Sequence, residues 1–366
     1  MRIDRLELDF FRNYVHAEAD FAPDVNVIYG DNAQGKTNLL EAVAYLSGLS
    51  HRARYDRELI QFGVDHAFLR GEVFSRQRDF ILEAELQRGA RKTLRSNGVK
   101  LKNTAELSGI FQSVLFCPED LYLIREGAAA RRKFLDDCIC QLRPRYAQAL
   151  SDYKRLHEHK TRILRDSEEK PSLLDTLDEF SLGMAKAGAV LIHYRAHFIK
   201  RLCQTAPAIH SDFSGRREQL SLRYETVSTV TDPQASPSEL LPQLLLHQET
   251  HRAAEIASRQ CLSGPHKDDL LVDIDGNPAK QFASQGQTRT AALSLKLAAR
   301  EIFQQDTGEY PVLLLDDVLS ELDPRRQAFV LNRIQGGQVF ITCCEDDRLS
   351  QMLGGKVLHI SNGMLV

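Results

Sequence analysis

The segment Gly30-Asp31-Asn32-Ala33-Gln34-Gly35-Lys36-Thr37 decides the fold, because it matches the phosphate-loop pattern G-x-x-x-x-G-K-[ST]. A short apolar segment formed by Val25, Val27 and Ile28 precedes it, and apolar residues at helical spacing follow it from Leu39 to Leu46. Glycines let backbone N–H groups turn towards phosphate oxygens, and the N-terminus of the following helix favours the same anion. We therefore expect ATP as the ligand, with Lys36 on its β- and γ-phosphates and the Thr37 hydroxyl on Mg²⁺.

A second half of the nucleotide site is predicted near the other end of the chain. The apolar run 312–315 is typical of a buried strand, and Asp316 and Asp317 follow it directly. Beside a phosphate loop, such acids serve the metal ion and the attacking water. We expect Asp316 to hold Mg²⁺ through water, and Asp317 to be the catalytic acid that orients or polarises the water.

The pattern of apolar residues divides the chain into three parts. Residues 1–125 and 262–366 alternate short strand patterns with periodic helices, so they are expected to form the N-terminal and C-terminal parts of an α/β ATPase head. Residues 126–261 are rich in helical patterns and are expected to form a mostly helical insert, or arm, whose two ends lie close together.

Two helix boundaries are predicted within the insert. Ser236-Pro237-Ser238-Glu239 combines a capping serine, a proline suited to the first helical position and a glutamate placed for a capping box. A second helix is expected to begin near Leu173, to run to about Leu202 and to be closed by Pro207.

Composition excludes several classes of protein. The chain has no run of about 18 apolar residues and its N-terminus lacks the apolar core of a secretory signal, which predicts a cytoplasmic protein without a membrane partner. Its seven cysteines form no C-x2-C pair, which argues against zinc and suits reduced thiols. The net charge of −3 argues against a surface that is basic throughout, although a local basic patch remains compatible with it.

Two further motifs resemble those of ABC-type ATPases. Ser284-Gln285-Gly286-Gln287, at the start of a long periodic helix, resembles their signature motif, and Ser320-Glu321-Leu322-Asp323 is similar to their D-loop. With a helical insert between the two halves, this order looks like the SMC-type branch. The resemblance implies an ABC/SMC-type ATPase head that dimerises around ATP. It also implies that Ser284, Gln285 and Gly286 contact the γ-phosphate bound to the other subunit, and that Asp323 touches the partner chain.

Within that branch, the chain resembles the RecF family of bacterial recombination proteins. The resemblance runs over the whole chain and is carried by the stretches 11–14, 32–42, 116–121, 264–269 and 284–287. The stretch 264–269, Gly-Pro-His-Lys-Asp-Asp, is the more discriminating of them. The family implies an ATP-dependent homodimer that binds DNA and acts in DNA replication and repair, including recombinational gap repair and SOS induction. It would help to load recombinase alongside recombination mediator proteins.

Other classes of ATPase remain as alternatives. One is another SMC-like or ABC-type cytosolic ATPase with a partner other than DNA. A transporter ATPase would need a membrane partner and would normally lack the helical insert, and a small-molecule kinase would have no use for the motif at 284–287.

Three departures from the transport-type ATPases bear on the rate of hydrolysis. Their second acid is glutamate, whereas Asp317 is one methylene shorter. Where they carry a switch histidine, this chain offers Thr342, and in place of their Q-loop glutamine it offers Glu119 or Asp120. We therefore expect weak ATPase activity, below about 1 s⁻¹, that acts as a timing switch.

Basic residues outside the nucleotide motifs are the candidates for DNA contact. Six lie between residues 88 and 102, without an acidic residue, around the hairpin-type dipeptide Asn97-Gly98. Three more follow the phosphate-loop helix. The full set is Arg52, Arg54, Arg57, Arg88, Arg91, Lys92, Arg95, Lys100 and Lys102. We interpret these clusters as lacking interleaved aromatic residues, and we therefore expect sequence-independent phosphate contacts without base stacking.

Overall fold

The chain forms two compact units in a computed structural model that describes residues 1–49, 52–107, 109–319, 322–344 and 355–365. The first unit comprises Met1–Asp120 and Leu295–Val366, and the second comprises Leu121–Ser294. The predicted insert, 126–261, falls within the second unit, which extends past both of its ends. The extension beyond 261 has a physical reason, because the strand Asp269–Ile274 pairs antiparallel with Leu220–Glu225 and so belongs with the helices.

The first unit contains most of the strands. They are β1 (Arg2–Phe11), β2 (Tyr14–Asp20), β3 (Val25–Tyr29), β4 (His66–Ser75), β5 (Arg78–Gln87), β6 (Thr93–Ser96), β7 (Val99–Lys100), β8 (Ser113–Phe116), β12 (Val312–Leu315), β13 (Val339–Cys343), β14 (Lys356–Ser361) and β15 (Met364–Leu365). Its helices are α1 (Lys36–Leu46) and α9 (Pro324–Arg333), and α8 (Gln285–Thr307) contributes its second half.

A largely parallel sheet positions the candidate site. Its strand order is β15-β14-β3-β13-β12-β8, in which β14, β3, β13, β12 and β8 run parallel. Strand β13 therefore lies between β3, which leads into the phosphate loop, and β12, which leads into the acids. Because parallel strands end at the same edge of a sheet, the loop, the acids and the end of β13 meet there.

An antiparallel sheet in the order β2-β1-β4-β5-β6-β7 completes the first unit. Its apolar residues share one core with α1, including Leu6, Leu69 and Leu40. The predicted turn at Asn97-Gly98 is confirmed, since both residues have positive φ, 49° and 76°, between the paired strands β6 and β7. Two positive φ angles are what a type I′ hairpin turn requires.

The second unit is mostly helical. Its helices are α2 (Tyr122–Arg125), α3 (Ala128–Leu142), α4 (Pro144–Asp166), α5 (Leu177–Ser214), α6 (Pro237–Ser258), α7 (Ala279–Phe282) and the first half of α8. Strands β9 (Leu220–Glu225), β10 (Asp269–Ile274) and β11 (Asn277–Pro278) form an antiparallel sheet in the order β11-β10-β9.

One of the two predicted helix boundaries is confirmed and the other is wrong. Ser236 and Glu239 form the expected capping box at the start of α6. Pro207, in contrast, does not close its helix, because α5 continues through it to Ser214. The turns after the proline bury Ile209 and Phe213, and this burial offsets the cost of about 3 kcal/mol of an interior proline.

None of the helices in the described residues combines the length and apolar character that crossing a membrane requires.

Candidate nucleotide-binding site

The phosphate loop has a backbone shape that glycine makes possible. Gly30 and Gly35 adopt φ angles of 152° and 121°, and Ala33 between them adopts 65°. A Cβ atom on Gly30 would lie 2.2 Å from the carbonyl oxygen of Ile360, which is closer than any real contact. The turn is therefore specified by its glycines and by the neighbouring strand β14, which packs against it.

The phosphate-loop lysine lies inside this turn. Lys36 Nζ donates hydrogen bonds to the carbonyl oxygens of Gly30 at 2.5 Å and Asp31 at 2.9 Å, and its side chain is buried. The loop thus encloses a cation at the N-terminus of α1, where a phosphate group is attracted both by the charge and by the helix.

Hydrogen bonds with two threonine hydroxyl groups connect the acidic segment after β12 with the phosphate loop and with β13. Thr37 Oγ1 donates to Asp316 Oδ1 at 2.9 Å, although 279 residues separate them. Thr342, at the end of β13, donates to the same oxygen at 2.9 Å and accepts from the backbone N–H of Asp317 at 2.8 Å. Asp317 itself has a φ of 52°, in the left-handed region.

Asp316 is buried, and burial raises its pKa above the ordinary value of 3.8, against the opposing effects of Thr37, Thr342 and Arg52. Arg52 Nη2 lies 3.7 Å from Asp316 Oδ2. The hydroxyl of Thr37 and the carboxylate of Asp316 are hard oxygen donors, which are the ligands that Mg²⁺ prefers. The residues present therefore fit a magnesium ion.

The two candidates for the Q-loop position have different partners. Glu119 pairs with Arg52 at 2.9 Å, and the same guanidinium approaches Asp316. Asp120 instead pairs with Lys296 at 2.8 Å and caps the amide of Cys117. Glu119 is thus the acid linked to the candidate metal site.

Sequence reasoning missed residues whose side chains donate hydrogen bonds to carbonyl groups of the phosphate loop. Asn13 Nδ2 donates to the carbonyl of Gln34, and Tyr14 Oη donates to that of Gly35, both at 2.9 Å. The side chain of Asn38 in α1 donates in turn to Asn13 Oδ1. The spacing of residues in the sequence does not indicate that the stretch 11–14 lies next to the loop.

The signature-like motif lies in the second unit and caps a helix. Ser284 Oγ accepts from the amide of Gln287 at 3.2 Å, and the Gln287 side chain accepts from the amide of Ser284 at 2.9 Å. This is a capping box at the start of α8. Ser284 and Gln285 are exposed and Gly286 is partly exposed, so all of them are accessible to a ligand.

The D-loop-like motif is only partly described. Ser320 and Glu321 lie outside the described residues, whereas Asp323 is exposed and caps α9 by accepting from the amides of Arg325 and Arg326. Ser284 and Asp323 therefore each have a structural role as a helix cap. An experiment on their contact with a partner chain has to distinguish that contact from the capping role.

The basic candidates for DNA contact fall into two groups. Those with partners are Arg52 with Glu119, Arg88 with the carbonyl of Val64, Lys92 with Asp56 and Arg95 with Glu85. Those that are exposed and form no ion pair with another described residue are Arg54, Arg57, Arg91, Lys100 and Lys102.

The expectation that no aromatic residue accompanies these clusters is wrong. Tyr55 lies between Arg54 and Arg57 in sequence, its side chain is 48% exposed, and both guanidinium groups contact its ring.

Comparison with known proteins agrees with this geometry. Residues 2–363 match the family model described as the RecF/RecN/SMC N terminal domain. The DNA replication and repair protein RecF of Agathobacter rectalis is 39% identical over 369 residues, covering 100% of this chain and 99% of that protein. The chain belongs to the RecF family.

Solved structures show that the similarity includes the three-dimensional fold. A structure of the recombination mediator protein RecF with ATP, from the RecFOR pathway, has a TM-score of 0.91 at 34% identity, and the match covers 100% of this chain and 96% of that one. An SMC head bound to the C-terminal winged-helix domain of ScpA has a TM-score of 0.55 at 15% identity over 100% of this chain and 96% of that one, which concerns the fold alone. The predicted α/β fold of an ABC/SMC-type ATPase head is confirmed.

Proposed function

We propose that this RecF-family chain is an ATP-binding DNA repair protein of the cytoplasm. In this proposal it forms a homodimer around ATP and Mg²⁺, binds DNA through phosphate contacts and acts with recombination mediator proteins. The observation that carries the nucleotide site is the 2.9 Å hydrogen bond between Thr37 and Asp316, because it joins the two predicted halves of that site. The RecF–ATP structures among its relatives support the same ligand.

Each group in the candidate site has a task in this proposal. The amides of residues 30–37 and Lys36 would bind the phosphates. Thr37 and Asp316 would hold Mg²⁺, which would neutralise charge on the phosphate oxygens. Asp317 orients the attacking water, and its backbone is held by Thr342. Because aspartate reaches less far than glutamate and no switch histidine is present, hydrolysis is slow and serves as a timing step.

Dimerisation supplies the rest of the site in this proposal. Ser284, Gln285 and Gly286 of one protomer contact the γ-phosphate on the other, so ATP stabilises the dimer by linkage and ADP does not. The exposure of Ser284 and Gln285 at the start of α8 supports this role. Asp323, exposed at the start of α9, contacts the partner protomer.

Sedimentation velocity with ADP, with ATP and with ATP plus duplex DNA tests the proposal. We expect a monomer with ADP, a dimer with ATP and a stronger dimer with DNA. The variant Ser284→Arg places a bulky cation at the shared phosphate and should stay monomeric. Since Ser284 also caps α8, the matched control is Ser236→Arg, which disrupts the equivalent capping box of α6 and should still dimerise.

A monomer in all three conditions would overturn the dimer mechanism together with the roles of Ser284 and Asp323. Equal loss of the dimer in Ser284→Arg and Ser236→Arg would assign the effect to helix capping instead. A dimer whose stability does not change when DNA is added would favour an SMC-like ATPase with a different partner.

A further inference from the structure

The basic segments 52–57 and 88–102 are in contact within the first unit. Arg88 Nε donates to the carbonyl of Val64 at 2.9 Å, and Lys92 Nζ lies 3.3 Å from the carboxylate of Asp56. Each bond joins segment 88–102 to the loop 52–65. Arg88 and Lys92 therefore lie next to the loop that carries Arg54 and Arg57.

An aromatic ring stands among the exposed cations of that loop. The guanidinium carbons of Arg54 and Arg57 lie 5.4 Å and 4.8 Å from the centre of the Tyr55 ring, and half of that side chain remains exposed. Proteins that bind single-stranded nucleic acid combine an exposed ring with cations, since the ring stacks on a base and the cations contact the backbone.

The acidic neighbours of Tyr55 are engaged elsewhere. Asp56 accepts a hydrogen bond from Tyr45 Oη at 2.8 Å and pairs with Lys92. Glu58 accepts from the backbone amide of Arg54, not from its guanidinium. The side-chain charges of Arg54 and Arg57 are thus not neutralised by an ion pair within the described residues, and they remain available to an external anion.

We propose that Arg54, Tyr55 and Arg57 form a stacking site for an unpaired nucleobase, with the guanidinium groups on the adjoining phosphates. The inference rests on the proposed DNA-binding function and assigns it a surface and a strand type. In duplex DNA each base face is covered by its neighbours, so a duplex meets only the cations. A single strand meets the cations and the ring.

Fluorescence anisotropy with two DNAs tests the stacking site. The probes are a labelled oligothymidylate of about 20 nucleotides and a blunt duplex of the same length, each with Mg-ATP. Replacement of the ring in Tyr55→Leu should weaken single-strand binding about 5-fold or more, as expected for one lost stacked base, and change duplex binding less than about 2-fold. Tyr55→Phe retains the ring and should bind both DNAs as the wild type does.

A matched control is available on α2, where Tyr122 is 49% exposed. Tyr122→Leu should leave both affinities unchanged. The double variant Arg54→Gln, Arg57→Gln should weaken binding of both DNAs and reduce the slope of log affinity against log salt by about 2.

The possible failures are distinguishable. If Tyr55→Leu weakens both DNAs equally, or neither, the stacking site is overturned while the DNA-binding function stands. If the wild-type protein binds neither DNA, the proposed function fails and the stacking site fails with it. A loss in Tyr122→Leu as large as in Tyr55→Leu would also overturn the assignment to this surface.

Discussion

Thr342 donates its hydroxyl proton to Asp316 Oδ1 at 2.9 Å, across 26 residues of sequence. The same oxygen of Thr342 accepts from the amide of Asp317 at 2.8 Å. One buried hydroxyl therefore contacts the carboxylate of Asp316 and the backbone of Asp317, which has a left-handed conformation that is uncommon for residues other than glycine. We infer that Thr342 is a positioning residue for the two acids.

Replacement of Thr342 by its isostere valine should lower kcat for ATP hydrolysis about 10-fold or more, because a hydrogen bond to a charged group contributes roughly 1.5–3 kcal/mol. Steady-state hydrolysis over a range of Mg-ATP concentrations measures kcat separately from KM. Thr342→Ser retains the hydroxyl and should recover most of the rate. Wild-type turnover in Thr342→Val would show that the two acids do not depend on this hydroxyl.

Alanine at Gly30 should abolish Mg-ATP binding, because its Cβ would collide with the backbone of Ile360 and displace the phosphate loop. Gly276 is the matched control. It also has a positive φ, of 77°, but a Cβ there would meet no atom within 4 Å. Gly276→Ala thus carries only the backbone strain, about 1–2 kcal/mol, and should bind nucleotide normally. Isothermal titration calorimetry, with circular dichroism to verify folding, compares the two variants, and retained binding in Gly30→Ala would contradict the steric explanation.

The buried ion pair between Lys160 and Glu255 should be essential to the stability of the second unit. The two side chains are each 1% exposed and lie 2.7 Å apart. Lys160→Met leaves the glutamate buried without its cation, which costs about 3–5 kcal/mol in the free energy of unfolding. Urea denaturation followed by circular dichroism measures this loss.

Arg162 provides the control on the same helix. It pairs with Asp166 at 3.4 Å, but its side chain is 76% exposed. Arg162→Met should therefore cost less than about 1 kcal/mol. Similar losses in the two variants would mean that burial does not decide the contribution of these pairs.

Acid should destabilise the second unit through His266. Burial lowers the pKa of His266 to about 4, from an ordinary 6.5. In the unfolded chain the His266 side chain binds a proton as the pH falls through 6.5, whereas in the folded chain it does so only near pH 4. The free energy of unfolding therefore decreases as the pH falls through this window. The loss attributable to this residue is at most about 3 kcal/mol.

The free energy of unfolding between pH 7 and pH 4 tests this assignment in the variant His266→Gln, which should show a smaller loss than the wild type. His16 is the control, because its pKa is raised by the hydrogen bond with Asp9 and its contribution has the opposite sign. His16→Gln should retain the loss on acidification. An unchanged pH profile in His266→Gln would show that another group is responsible.

Features decided by a few neighbouring residues could be predicted from the sequence alone. The turn at Asn97-Gly98 and the capped start of α6 at Ser236 were both predicted, because backbone preference and local hydrogen bonding specify them. The α/β class followed from the phosphate-loop pattern and its flanking strand and helix.

Only the tertiary structure decided the contacts between distant segments. Strand β13 lies between β3 and β12, and this order brings Thr342 to the acids and Thr37 to Asp316. Helix α5 continues past Pro207 because apolar side chains beyond it are buried, although local preference predicted that the helix would end there. A pattern in sequence records what each residue prefers over a few positions, whereas strand order and burial are settled by the free energy of the whole packed chain.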